Sequence, residues 1–143
     1  MTTLRRILDQ KPAIYATGPD TTVFEALKVM AEKNIGALLV VSGDQLVGIF
    51  SERDYARKVI LRGKSSKDTP VREIMTSPVV TVGPHATAEE CMALMTERRI
   101  RHLPVLEFGR LVGVISIGDV VRTVVEQQQF TIRQLESYIT GRG

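Results

Sequence analysis

Tryptophan is absent from this 143-residue chain, cysteine occurs once, histidine twice, and aromatic residues make up only 5%. A single cysteine, Cys91, excludes an internal disulfide, and with so few histidines no cluster has the spacing of metal ligands. No metal is expected, and a reducing compartment, the cytoplasm, is. No apolar run approaches the roughly twenty residues that cross a bilayer, and residues 1–11 lack the apolar centre of a secretory leader, so no membrane association is expected. The net charge of +3 comes from basic residues interspersed with acidic ones. Without a basic run, and with few aromatic rings for stacking on bases, nucleic acid is not an expected partner.

What the chain does contain is a duplication. Gly18-Pro19 matches Gly83-Pro84 at an offset of 83 − 18 = 65, and that offset aligns residues 14–59 with 79–124 without a gap. Thr22/Thr87, Glu25/Glu90, Met30/Met95, Ile35/Ile100, Val40/Val105, Leu46-Val47-Gly48/Leu111-Val112-Gly113, Ser51/Ser116 and Asp54/Asp119 coincide. Ahead of each repeat lies a further related pair, residues 4–8 and 71–75, at an offset of 71 − 4 = 67. A duplication on this scale is read before anything else, because it defines the structural unit.

Each copy reads as β-α-β-β-α. An extended segment (14–17, 79–82) is stopped by Gly-Pro. Thr22-x-x-Glu25 and Thr87-x-x-Glu90 then open a helix as capping-box signatures. Val23, Ala26, Leu27 and Met30, with Ala88, Cys91, Met92 and Met95, form its apolar face. Gly36 is placed to close the first of these helices. Two short apolar runs follow, 37–41 with 46–50 and 103–106 with 111–115, joined through Gly43-Asp44 and Phe108-Gly109-Arg110 as hairpins. A second helix opens at Ser51 or Ser116, striped by Tyr55 and Val59, or by Val120, Val121 and Val124. Cys91 aligns with Ala26 on a buried face and is expected to be an inert core thiol. Residues 63–70, polar, with Gly63, two serines and a terminal proline, read as a linker. After the polar stretch 126–129, Phe130, Leu135, Tyr138 and Ile139 mark a separate terminal helix that packs on the body or on a second subunit.

Chemistry concentrates where each hairpin meets its second helix, at Ser51-Glu52-Arg53-Asp54 and Ser116-Ile117-Gly118-Asp119. A serine at a helix start, beside free backbone N–H groups and the positive end of the helix dipole, suits a phosphate. An aspartate three residues on can accept hydrogen bonds from the vicinal hydroxyls of a ribose. The same pattern is also a variant capping box that needs no ligand. As a cap alone, either aspartate contributes only about 1 kcal/mol, so its loss is expected to leave the fold intact.

The repeated unit, its Leu-Val-Gly-x-x-Ser-x-x-Asp endings and the Arg101-His102-Leu103-Pro104-Val105 stretch resemble the CBS domain, and two in tandem resemble a stand-alone Bateman module. The resemblance implies an α+β fold in which two CBS domains pack by pseudo-twofold symmetry into one disc. The domains would span 1–62 and 71–126, with a linker at 63–70 and a helical extension at 127–143. Two clefts would take AMP, ADP, ATP, NAD or S-adenosylmethionine. Carried over by position, Asp54 and Asp119 hold ribose hydroxyls and Ser51 and Ser116 hold phosphate. Backbone around Tyr15 and Thr17, and around Val80 and Thr81, lines the adenine. Arg101 and His102, ahead of Leu103-Pro104, reach phosphate. The first repeat has Gly36-Ala37 at that place, which leaves Arg53 as its local cation.

The function implied is regulatory: a module that binds AMP first, with NAD or ATP as alternatives, and signals by conformational change to an effector protein not identified by the sequence. It has no catalytic residues and no catalytic cofactor, and such modules in the family usually form a homodimer. The alternative is a ligand-free structural or protein-interaction module. A hydrolytic set of Ser116, His102 and Asp119 is disfavoured because Asp119 shares a helix turn with Ser116 and no oxyanion donor accompanies them.

Overall fold

A computed structural model describes residues 2–9 and 14–140. In order they form α1 (Leu4–Leu8), β1 (Ala16–Thr17), α2 (Val23–Lys33), β2 (Ala37–Ser42), β3 (Gln45–Ser51) and α3 (Glu52–Tyr55), which continues as a π-helical turn over Ala56–Ile60. A 3-10 turn at Val71–Glu73 leads to α4 (Ala88–Arg98), β4 (His102–Glu107), β5 (Arg110–Ser116) and α5 (Ile117–Ile139). The class is α+β, and the β-α-β-β-α order recurs.

The chain divides into two compact units, Ala13–Val80 with Gly109–Leu111, and Met1–Pro12 with Thr81–Phe108 and Val112–Gly143. In the first, β1 runs parallel to β2, and β2 pairs antiparallel with β3. Val23, Ala26, Met30, Leu38, Val40, Phe50, Val59, Val71 and Ile74 make its core. In the second unit the corresponding Ala88, Cys91, Met95, Leu103, Val105, Ile115, Leu4 and Ile7 are buried as well. The hairpin turns need left-handed backbone, supplied by Gly43 (φ 61°) in one and by Phe108 (φ 53°) and Gly109 (φ 77°) in the other.

Sequence neighbours and spatial neighbours part company at the segments that precede each repeat. Residues 2–9, grouped by the sequence reading with 14–62, join the second repeat. Ala88 donates its N–H to Thr2 O (3.1 Å), Leu4 to Ala86 O (2.9 Å) and Arg5 to Pro84 O (3.0 Å). Residues 69–76 do the same for the first repeat. Val23 donates to Thr69 O (2.9 Å), Val71 to Thr21 O (2.8 Å) and Arg72 to Pro19 O (2.9 Å). The first N–H groups of a helix have no intrahelical acceptor, and these segments satisfy one in each of α2 and α4. The polar stretch 63–70 is therefore an ordered part of the first unit, with Thr69 buried. Residues 1, 10–13 and 141–143, at the edges of the expected domain and extension, lie outside the described residues.

Three further expectations are corrected. The first-helix C-terminus is closed not by Gly36 but by Asn34 in left-handed conformation (φ 54°), with Arg99 (φ 55°) as its counterpart. The first strand of the second repeat shrinks to one bridge, Val82 with Val105. Leu39 donates its N–H to Tyr15 O, whereas the aligned Pro104 has no N–H to give. Finally, no break separates 126–129 from a terminal helix. Residues 119–140 hold neither Gly nor Pro, and Glu and Gln are good helix formers, so α5 runs unbroken for 23 residues. Val121, expected on its buried stripe, is exposed.

Two glycines mark where the preceding segments press on the hairpins. A Cβ at Gly48 would lie 2.3 Å from Met75 Sδ, and one at Gly113 would lie 2.2 Å from Leu8 Cδ2. Gly48→Ala should therefore lower stability by about 1–3 kcal/mol as an overpacking change. In a Met75→Ala background the same substitution should be nearly neutral, a coupling readable by urea denaturation of the four proteins. Burial, then the neighbouring Glu90 charge, pushes the Cys91 thiol up to about 11. Because the raised thiol favours the protonated folded state, stability should fall as pH climbs from about 9 to about 11. Cys91→Ala, which installs the residue found at position 26, should flatten that alkaline limb in melting curves.

Candidate functional site

The two Ser-x-x-Asp corners form the same structure twice. Ser51, the N-cap of α3, accepts a hydrogen bond at Oγ from the Asp54 N–H (3.2 Å). In return, Ser51 N–H (3.0 Å) and Ser51 Oγ (3.1 Å) both donate to Asp54 Oδ2. At α5, Ser116 repeats all three bonds with Asp119, at 3.2, 2.9 and 3.0 Å. Both are complete capping boxes. The hydroxyl hydrogen of each serine is thus directed at the carboxylate, so a phosphate oxygen could draw on it only by displacing that bond.

Each helix start is also anchored to the residue before its hairpin. Glu52 donates its N–H to Gly36 O (3.1 Å), and Ile117 donates to Arg101 O (2.8 Å). The Gly36/Arg101 difference noticed in the sequence therefore falls directly at the corners. Arg101 stands exposed beside Ser116 and the start of α5, and His102 follows it half-buried in β4. Arg53 is exposed on the first turn of α3, and Pro104 is buried.

The adenine-lining candidates hold different places. Tyr15 and Thr17 are half-buried at β1, two strands from β3 and hence about 10 Å across the sheet from the level of Ser51. Lys33 Nζ lies 5.3 Å from the centroid of the Tyr15 ring. Val80 and Thr81 are half-buried in the irregular segment before the Val82 bridge.

Sequence reasoning missed the partners of Asp54. Residue 76 pairs with β3 through Ile49, which brings Thr76 Oγ1 within 3.1 Å of Asp54 Oδ1 as a donor. Lys58, one turn on, sets Nζ 3.1 Å from the same oxygen and also donates to Ile74 O (3.2 Å). A carboxylate offers about four acceptor positions. Those of Asp54 are occupied by Ser51 N–H, Ser51 Oγ, Thr76 and Lys58, and the residue is only 6% exposed. At Asp119 the position of Lys58 is taken by Thr123, which donates to the Asp119 carbonyl (2.9 Å), while Arg122 lies 3.9 Å from Oδ1. The i,i+4 lysine was visible in sequence. Thr76 was not, because its approach depends on strand pairing.

A second feature went unforeseen: a cavity of about 690 Å³ between α1 and α5, lined by Arg6, Ile7, Gln127, Phe130 and Arg133 among others. Among the described residues no group of three or more His, Cys, Asp or Glu is placed to hold a metal ion, and no helix is long and apolar enough to cross a membrane.

Asp54→Ala removes a cap together with a half-buried ion pair and two hydroxyl contacts, so its cost exceeds the ~1 kcal/mol expected of a cap. About 2 kcal/mol should be lost, measured by urea denaturation, because the cap goes and Lys58 and Thr76, both reached by solvent, lose their carboxylate partner.

Comparison with known proteins agrees with this duplication. The family model of the CBS domain matches residues 5–61 and again 71–126. The mitochondrial CBS domain-containing protein CBSX3 of Arabidopsis thaliana is 47% identical over 127 residues, covering 85% of this chain, which itself spans 62% of that protein's length. A solved structure of a protein with CBS domains from Burkholderia ambifaria is 57% identical with a TM-score of 0.86, over 92% of this chain and 99% of that one. The hexameric CBS-CP12 protein from bloom-forming cyanobacteria is 31% identical with a TM-score of 0.76, over 84% and 70%. With both repeats matched along most of their length, the chain belongs to the CBS domain family and carries two such domains in tandem.

Proposed function

We propose that this chain is a regulatory module that binds an adenine nucleotide, AMP first and NAD or ATP as alternatives, and passes its occupancy to an effector protein by conformational change. It performs no catalysis in this reading, works as a homodimer and resides in the cytoplasm, although the Arabidopsis relative is labelled mitochondrial. The observation that carries the proposal is the recurrence of one corner: a helix start, a serine and an aspartate in the same bonding pattern in both domains. Ser51 and Ser116 would turn to phosphate, Asp54 and Asp119 to ribose. Tyr15, Thr17, Val80 and Thr81 would line the base, with Arg53 and Arg101 supplying positive charge, His102 reaching phosphate and Pro104 shaping the strand beside it.

The two corners are unequal, and the inequality favours the second. Arg101, whose carbonyl accepts from Ile117 N–H, stands at the Ser116 corner where the first corner has Gly36, and its guanidinium would add a charge-assisted contact to a phosphate bound there, whereas Asp54 must give up bonds to Thr76 or Lys58 before it can accept from a ribose. That saturation is also the observation in favour of the alternative reading, a ligand-free structural or interaction module.

Thermal melts with AMP, ADP, ATP, NAD and S-adenosylmethionine separate the readings. A ligand at about a hundred times its dissociation constant adds roughly 2.7 kcal/mol, a rise of several degrees for a domain of this size. Guanine and pyrimidine nucleotides should do less. Calorimetry should show unequal sites, with Arg101→Ala weakening the tighter one at least about tenfold. No response to any adenine ligand by initially ligand-free protein would leave the interaction-module reading.

A further inference from the structure

We propose that α5 carries the self-association surface of this chain, a seam of Val121, Val125, Gln128, Ile132, Leu135 and Ile139 on which α5 of a second copy docks antiparallel. The inference deepens the homodimer part of the reading above and is independent of the nucleotide.

The seam residues are separated by four, three, four, three and four positions. Such alternating steps of four and three keep one face of a helix in line along its length, the arrangement a second helix can pack against. At 100° per residue all six fall within an arc of about 80°. The five apolar members are exposed by 42, 44, 52, 57 and 79% in chain order, and Gln128 is exposed too. They do not serve the domain's own core. Thr123, Gln127 and Phe130, which line the cavity against α1, project from the opposite side of the helix. β-branched residues recur at one heptad position (Val125, Ile132, Ile139). One polar residue, Gln128, interrupts the apolar layers.

Charge selects the occupant and its direction. Antiparallel layering of Val121 on the partner's Ile139, Val125 on the partner's Leu135 and Gln128 on the partner's Ile132 uses every seam residue. It sets Arg122 beside the partner's Glu136, and twofold symmetry repeats the pair at the other end. Parallel pairing would set Arg122 beside the partner's Ile117 and Glu136 beside the partner's Thr131, matching neither charge. Arg122 is 70% exposed at its side chain, and its contact within the chain is the 3.9 Å approach to Asp119.

Sedimentation equilibrium of the full chain at micromolar concentration tests this. The unmodified protein should be dimeric, and Ile132→Asp with Leu135→Asp should be monomeric with unchanged circular dichroism, since both sites are exposed. Arg122→Glu and Glu136→Arg should each weaken association about tenfold through two repulsive contacts per dimer, and the double exchange should restore it. A dimer of undiminished strength in the Ile132→Asp, Leu135→Asp protein would overturn the seam while leaving the homodimer reading in place. Failure of the double exchange to recover affinity would overturn the antiparallel register. A monomeric unmodified chain would overturn both.

Discussion

The backbone N–H groups at the start of α2 and α4 are the constraint on which the rest depends. A helix cannot satisfy its own first donors, and here the acceptors are carbonyls of a segment that precedes the other repeat in sequence: Thr69 for Val23, and Thr2 for Ala88. Once that segment is seated, its next turn buries Val71 and Ile74 in one unit and Leu4 and Ile7 in the other. Met75 and Leu8 then lie against the hairpins, where only glycine leaves room. Each unit is thus completed by chain that a linear reading assigns elsewhere, and the core of a repeat of this size is enlarged by two fully or nearly buried aliphatic residues. Domains this small gain from any added apolar burial, because the area they remove from water barely offsets chain entropy.

Much of this was legible before any coordinates. The 65-residue offset carries the core from Val23, Ala26, Met30, Leu38, Val40 and Phe50 onto Ala88, Cys91, Met95, Leu103, Val105 and Ile115, and the structure buries both sets. Hairpin turns were visible in their glycines, and Ser-x-x-Asp as a cap in its spacing. The exchange of segments was not, although its 67-residue offset was on the page, because proximity in sequence says nothing about which of two similar surfaces a short helix covers. The helix closures went astray for a local reason. Gly36 is the obvious left-handed residue, but the chain makes that turn two residues earlier at Asn34, a residue that tolerates it, and Arg99 follows the same geometry.

The corners show why one motif supports two readings. A serine and an aspartate that satisfy a helix start with their own atoms hold it rigid, and the groups so used are the ones a nucleotide would need. Binding there would be an exchange of partners, its strength set by how firmly the resting bonds are held. At Asp54 they are held by Ser51, Thr76 and Lys58 in a nearly buried site. A charge removed from water is weakly held only when its partners are poorly aligned, and these lie at ordinary hydrogen-bond distances. The duplication therefore produced two corners that share one capping box and differ in the residues outside it: Lys58 against Thr123, and Gly36 against Arg101.

Exposure distinguishes the two faces of α5. A helix that only caps its own domain needs an apolar stripe on one side, at the 3.6-residue repeat of a straight helix. Val120, on that inner side, is fully buried. The outer residues continue, in alternating steps of four and three, about three turns beyond the point where the CBS match ends at residue 126. Exposed apolar side chains scattered along a helix would cost little and mean little. Six positions confined to one arc form a continuous exposed strip, and such strips are seldom left in water. The strip begins one residue after Val120, on the helix whose first turn is the Ser116/Asp119 corner.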